Sequence, residues 1–189
     1  MSRFAQGSSP NPRVLQVLKK RLADTDPAIR HSAAFALARI KDAGVTASLV
    51  KLKADPDGVI REQVAVSLSH SRHPQADALL ITFLDDSSPG AQRAAIEGVR
   101  IRKITKGLQK IKFLVQSRNV GVRRAAFHAI YDLAGIPGWD AYFGIRQGAL
   151  FDTDSEVKIW AARGIAQKQD PRVPSLLDTL VTDRDIKVQ

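Results

Sequence analysis

The chain has 189 residues and is 44% hydrophobic, enough to bury one or two ordinary cores. No stretch reaches the roughly eighteen apolar residues of a membrane-spanning helix. The absence of cysteine excludes disulfides, thiolate metal sites and cysteine nucleophiles, and the formal net charge of +10 points to acidic partners if it is clustered.

Residues 1–12 are polar and carry Gly7, Ser8, Ser9, Pro10 and Pro12, which predicts a flexible N-terminal segment. It lacks the apolar core of a secretory signal, so a cytoplasmic location is expected. From Arg13 onward the chain repeats itself. Val14, Leu15, Leu18 and Leu22 predict a helix over 13–23, and a second follows over 27–41. The same A-then-B order predicts helices over 45–54 and 58–71, 75–85 and 89–101, 104–117 and 120–134, and 139–151 and 155–168. A sixth unit has Val173, Leu176, Leu177 and Leu180 on its A helix and is incomplete.

The B helices carry the repeat. Their blocks open at Ile29-Arg30, Ile60-Arg61, Ala91-Gln92, Val122-Arg123 and Val157-Lys158, spaced 31, 31, 31 and 35 residues apart. A sixth block is placed at Ile186-Lys187. Three residues before each stand Asp26, Asp57, Ser88, Asn119, Asp154 and Asp183, all good N-caps, and Pro27 and Pro89 follow at the first helical position. The 35-residue step predicts a longer turn or longer A helix between Gly135 and Phe151.

The recurring Asp–x–x–(Val/Ile)–Arg–x–x–Ala–Ala motif resembles the HEAT-repeat family, in its short bacterial form found in HEAT-like bilin lyases. The resemblance implies an all-α fold: a right-handed α-α superhelix, or HEAT-like solenoid, of five helix pairs plus a partial sixth. The units are expected at about 13–43, 44–73, 74–103, 104–135, 136–170 and 171–189. Arg30, Arg61, Arg123, Lys158 and Lys187 are expected to tie neighbouring repeats together through turn carboxylates such as Asp26, Asp57, Asp154 and Asp183.

With Ile29, Ala33 and Ile40 toward the core, motif positions three, seven and ten of the B helices should line a concave groove. They are His31, Phe35, Ala38; Glu62, Val66, Ser69; Arg93, Glu97, Arg100; Arg124, His128, Tyr131; and Ile159, Arg163, Ala166. From Gly98 to Tyr131 there is no acidic residue, while Arg100, Arg102, Lys103, Lys106, Lys110, Lys112, Arg118, Arg123 and Arg124 carry nine of the ten net charges. A block of one sign with no internal counter-charge predicts an anionic partner. The residues expected to bind it are Arg93, Arg100, Arg102, Lys103, Lys106, Lys110, Arg124, His128, Tyr131 and Arg163.

No catalytic motif is found. His70, His73 and Asp77 are poorly placed for a metal because Pro74 ends the helix. Trp139-Asp140 and Trp160 invite comparison with HEAT-like DNA glycosylases, yet both tryptophans belong to one repeat; Trp139 is expected to open a helix and Trp160 to fill an inter-repeat gap. The sequence therefore predicts a non-enzymatic scaffold or adaptor for a protein partner, with no cofactor, metal or catalytic residue. Nucleic-acid binding is the alternative, and a bilin-lyase-like or pigment-chaperone role, implied by the repeat subtype, is the second. The open C-terminal edge is expected to pack on further repeats, a partner or a second copy.

Overall fold

The computed structural model describes residues 11–40, 42–135, 139–181 and 183–185. These form α1 (Pro12–Arg21), α2 (Pro27–Ala38), α3 (Ala43–Val50), α4 (Gly58–Ser69), α5 (Ala76–Phe83), α6 (Pro89–Ile101), a 3-10 turn (Thr105–Gly107), α7 (Leu108–Leu114), α8 (Val120–Ala134), α9 (Trp139–Ala149), α10 (Ser155–Ile165) and α11 (Val173–Val181). No strand occurs among the described residues. Each A helix (α1, α3, α5, α7, α9) packs on the B helix after it, and the B helices α2, α4, α6, α8 and α10 stack in order. Five helix pairs stand where the sequence places them, with α11 as the A helix of a sixth.

Capping explains the local boundaries. Asp26 accepts the Ala28 N–H at 2.8 Å, Asp57 the Val59 N–H at 2.8 Å, Asn119 the Val122 N–H at 3.2 Å and Asp154 the Val157 N–H at 3.1 Å. Ser88 holds the cap position of α6 without a side-chain bond. The segment expected to be flexible lies outside the described residues up to 10. Its last two residues instead begin α1, with Asn11 as cap and Pro12 as first helical residue. The long step before Val157 is taken up by α8, 15 residues long, and α9, 11 residues long against eight in α3 and α5.

The core is built from motif positions one, five and nine, an i, i+4, i+8 stripe. Position nine (Leu37, Leu68, Val99, Ile130, Ile165) is fully buried in every repeat. Position one is fully buried in repeats two to five, but Ile29 is 37% exposed because no described repeat precedes it. Position ten was expected in the groove; Ala38 and Ser69 there are buried instead, because the B helices of the first repeats pack against that side.

The repeats are tied by a ladder of basic side chains on aspartates; of the carboxylates the sequence suggested, Asp183 does take Lys158, whereas Asp26, Asp57 and Asp154 are not the partners of Arg30, Arg61 and Arg123. Arg30 grips Asp55 of the next repeat with Nε at 3.0 Å and Nη2 at 3.2 Å, and Arg61 grips Asp86 with both nitrogens at 2.8 Å. Arg123 grips Asp152 at 2.9 Å twice, and Lys158 reaches Asp183. Each arginine also donates through Nη1 to carbonyls of its own A–B turn: Asp24 for Arg30, Asp55 for Arg61 and Ser117 for Arg123. The accepting aspartates stand two residues before the caps, and each takes the N–H of the cap residue. Asp26, Asp57 and Asp154 serve instead as the helix caps.

Asp183 belongs to the ladder series, since it accepts the N–H of Asp185 as Asp55 accepts that of Asp57. By this register Asp185 occupies the position that Asp57 and Asp154 hold in their repeats. Residues 186–189 themselves, with Lys187, lie outside the described residues. One rung is missing. Gln92 stands where the arginine should be and Ser117 where its aspartate should be, so both partners of the third-to-fourth joint are replaced together. Gln92 bonds the Leu84 carbonyl at 3.4 Å and Ser117 still takes the Asn119 N–H at 3.2 Å.

A second irregularity lies inside the fifth repeat. Six residues before each ladder position stand Leu18, Leu49, Leu80, Ile111 and Leu177, and at the corresponding place in α9 stands Arg146. Arg146 is 1% exposed, and neither Nη1 nor Nη2 has a partner among the described residues. Its side chain lies on Gly164, where a Cβ would come within 2.6 Å of Nε.

Two stability predictions follow from these contacts. Arg61→Ala should cost about 3–5 kcal/mol, because Asp86 would be left buried and unpaired. Arg61→Gln with Asp86→Ser, copying the natural third joint, should cost less than the two single changes together; additive denaturation midpoints would refute the coupling. Arg146→Leu should raise stability by about 1–4 kcal/mol, the range found when buried ionic groups are replaced by well-packed apolar ones. An unchanged or lower thermal midpoint would mean that the guanidinium has partners in solution.

Candidate functional site

The concave face is lined by motif positions three, four and seven of α4, α6, α8 and α10. Together they bound a depression of about 450 Å³ whose walls include Glu62, Arg93, Glu97, Arg124, His128 and Trp160. Position three gives Glu62, Arg93 and Arg124; position seven gives Val66, Glu97 and His128; position four gives Ala94, Ala125 and Trp160. Sequence reasoning missed position four. Its signal was a tryptophan where the other repeats have Ser32, Gln63, Ala94 and Ala125.

The cations of this face are paired. Arg93 bonds Glu62 at 3.3 Å, and Arg124 chelates Asp154 at 2.9 and 2.6 Å and approaches Glu156 at 3.5 Å. Arg100 is held between Glu97 and Asp132. These bonds hold the Glu97 and Asp154 carboxyls below their ordinary range and raise the Arg100 guanidinium. The concave face is therefore a lattice of opposite charges spaced by one repeat, not the basic groove expected from the sequence.

The same holds for much of the basic block. Arg102 donates to Asp77 at 2.6 Å and to the Ser71 carbonyl at 2.6 Å. Lys110 reaches Asp85 and the Ile81 carbonyl, and Arg123 is in the ladder. The block has no internal counter-charge, but carboxylates from outside the Gly98–Tyr131 segment reach it, 25 to 32 residues away for most pairs. Four cations of the block, Lys103, Lys106, Lys112 and Arg118, have no carboxylate partner among the described residues. Lys103 is also the non-glycine residue with φ of 56°, closing α6 with the Ile104 N–H on the Val99 carbonyl at 2.9 Å.

At the C-terminal end of the groove the side chains stack. His128 lies parallel to Trp160 with ring centroids 4.0 Å apart and planes 18° apart. Tyr131 stands 5.3 Å from the same ring, and the Arg163 guanidinium lies 4.9 Å from its centroid. Trp160 does bridge adjacent repeats as expected, but at the groove surface. At the other end His31 meets Phe35 edge-on and Arg39 covers Phe35. Of the metal candidates, His73 Nδ1 accepts the Gln75 N–H at 3.3 Å, Asp77 pairs with Arg102, and His70 stands at the C-terminal end of α4.

Burial, and then the Arg100 charge, push the His128 imidazole below its ordinary value against the pull of Asp132 and Glu97, with Arg163 adding to the depression. It is neutral at pH 7. Its contribution to stability is complete above the ordinary histidine pKa and is lost as the pH falls through the lowered one. Protonation places an imidazolium on the indole face, which quenches its fluorescence. In a Trp139→Phe background, Trp160 emission should fall on acidification with a midpoint below about 6.5. His128→Gln should abolish the transition; a midpoint at or above that value would contradict the stacked, desolvated ring.

Comparison with known proteins agrees with this architecture. Residues 4–69 match the family profile described as HEAT repeats. No curated protein sequence gives a significant match. Among solved structures, an engineered protein from the Northeast Structural Genomics Consortium is 22% identical over 93% of this chain and 92% of its own, with a TM-score of 0.66. The complex of CpcE and CpcF of phycocyanin lyase from Nostoc sp. PCC7120 is 19% identical, covering 100% of this chain and 77% of that one, with a TM-score of 0.68. A designed armadillo repeat protein in complex with the peptide (KR)4 is 18% identical, covering 93% and 95%, with a TM-score of 0.66. At such identities the likeness is one of fold. The match to HEAT repeats covers residues 4–69, and helix pairs of the same arrangement run on through the later described residues.

Proposed function

We propose that this chain is a non-enzymatic scaffold that binds an extended segment of a protein partner in its concave groove. The contacts are Arg93, Arg100, Arg124, His128, Tyr131 and Arg163 from the sequence reading, joined by Trp160. The observation that carries this reading is the charge lattice itself. Alternating carboxylates and guanidiniums at one-repeat intervals (Glu62 and Arg93, Glu97 with Arg100 and Asp132, Arg124 with Asp154) offer both donors and acceptors to a polypeptide. A polyanion would have to displace those carboxylates from their arginines, so the lattice favours protein over nucleic acid in the groove. The Trp160 cluster adds the apolar anchor that such interfaces concentrate their affinity on. Arg102 and Lys110 act as structural ties in this scheme, and Lys103 and Lys106 lie at its margin. A designed armadillo relative of this fold holds a peptide, which supports the mode without identifying the ligand. The bilin-lyase reading rests on fold likeness alone.

Affinity capture from native extract, with and without nuclease, tests the proposal. The same proteins should be recovered in both arms. Trp160→Ala should lower their recovery by about tenfold or more. Exchanging Glu62→Arg with Arg93→Glu keeps the ion pair and reverses its direction, so it should lose the partner while leaving the melting curve unchanged. Loss of all recovered species on nuclease treatment, or equal capture by both variants, would overturn the reading.

A further inference from the structure

A separate feature lies on the outer layer of A helices, away from the groove. Between α7 and α9 runs a cleft of about 490 Å³, walled by Val115 and Gln116 on one side and Gly144, Ile145, Gly148 and Ala149 on the other. Phe127 and the Arg123–Asp152 pair form its floor. The cleft stands at the one step where the repeat is 35 residues long rather than 31. Two exposed phenylalanines adjoin the lining residues in sequence: Phe113 on α7, two residues before Val115, is 71% exposed, and Phe151, beside Asp152, is 72% exposed. Gly144 and Gly148 add room, since a Cβ on either would meet nothing within 4 Å, whereas one on Gly98, Gly107 or Gly164 would clash.

Charge decides what fits. Lys106 in the 3-10 turn before α7, Lys112 on α7 and Arg118 in the turn after it are three of the four cations without a carboxylate partner among the described residues. Asp152, at the cleft end, is already held by Arg123 through both oxygens. A trough whose lining is mostly apolar, with exposed phenylalanines and cations lacking carboxylate partners in the segments that flank it, is complementary to an amphipathic helix with an acidic outer face.

We propose that the α7–α9 cleft docks an acidic amphipathic helix of a protein partner, on the face opposite the concave groove. Phe113 and Phe151 flank its apolar stripe, and Lys106, Lys112 and Arg118 meet its carboxylates. The surface is independent of the groove, so either can fail without the other.

The probe is a library of helical peptides about five turns long, with apolar residues at i, i+3, i+4 and i+7 and Asp or Glu elsewhere. Binding is read by fluorescence anisotropy. Selected peptides should bind the wild type, and Gly148→Leu, which fills the cleft, should weaken them at least about tenfold. Lys106→Glu with Lys112→Glu should do the same at a solvated surface, with the melting curve as the check on folding. Trp160→Ala in the groove should leave this binding unchanged. Three outcomes would overturn the proposal: no peptide of the library binds, scrambled peptides of equal composition bind as well, or duplex DNA competes while Gly148→Leu has no effect. The second would mean charge alone is recognised, and the third a nucleic-acid surface.

Discussion

The bidentate bond from the arginine of one B helix to the aspartate of the next A–B turn is the contact on which the remainder of this solenoid depends. It does three things at once. It neutralises a carboxylate that is already accepting the cap residue's N–H, it satisfies carbonyls of the arginine's own turn, and it fixes the distance between successive B helices. Burial alone would push Asp55 up, yet the Arg30 bond and the Asp57 N–H hold it down; Asp86 is held down chiefly by Arg61. Such carboxylates contribute fully above the ordinary aspartate range and lose their contribution as pH falls through the lowered values, so the ladder weakens only in acid.

The missing rung accounts for much of the charge in the centre of the chain. Where Gln92 and Ser117 replace the arginine and aspartate, the third and fourth repeats are tied elsewhere. Arg100 crosses to Asp132 on the concave side, and Lys110 reaches back to Asp85 and the Ile81 carbonyl on the outer side. Arg102 bonds Asp77 of its own repeat and the Ser71 carbonyl of the second. A block that looks uncompensated in sequence is thus largely a set of ties within and between repeats, two of them, Arg100 and Lys110, crossing the joint that lacks its rung. What remains after those ties, Lys103, Lys106, Lys112 and Arg118, is a small residue of charge, and it lies on the rim and outer layer rather than in the groove.

The helices were legible in the sequence because they are set locally, by caps such as Asp26 and Asp57 and by apolar residues at helical spacing. The fifth repeat's extra length was legible for the same reason. The ladder's basic half was visible and its acidic half was not: Asp55 and Asp57 look alike in a sequence, and only the fold shows that one caps its own helix while the other receives a neighbour's arginine. Arg146 escaped because the A helices are apolar without a strict motif, so its alignment with Leu80 and Ile111 needs the structure. The groove was half legible. Positions three and seven do line it, but position ten is turned into the stack at Ala38 and Ser69, and position four, with Trp160, takes its place.

The two faces differ in the physics they offer a partner. On the concave side Arg93, Arg100 and Arg124 are already oriented by carboxylates and Arg163 by the Trp160 ring, so a ligand meets preorganised groups; recognition there depends on matching donors, acceptors and one aromatic anchor, and should be weakly screened by salt. On the outer side Lys106, Lys112 and Arg118 have no carboxylate partner among the described residues, and their attraction for an acidic ligand acts at long range and is screened by salt, setting encounter rate more than residence time. Holding the ligand there falls to the apolar trough between Phe113 and Phe151, because unpaired surface cations contribute little once solvated. A solenoid with a charge-paired inner face and a charge-bare outer cleft can thus engage two chemically different segments at once. The ladder that spaces its B helices keeps the two sites in fixed register.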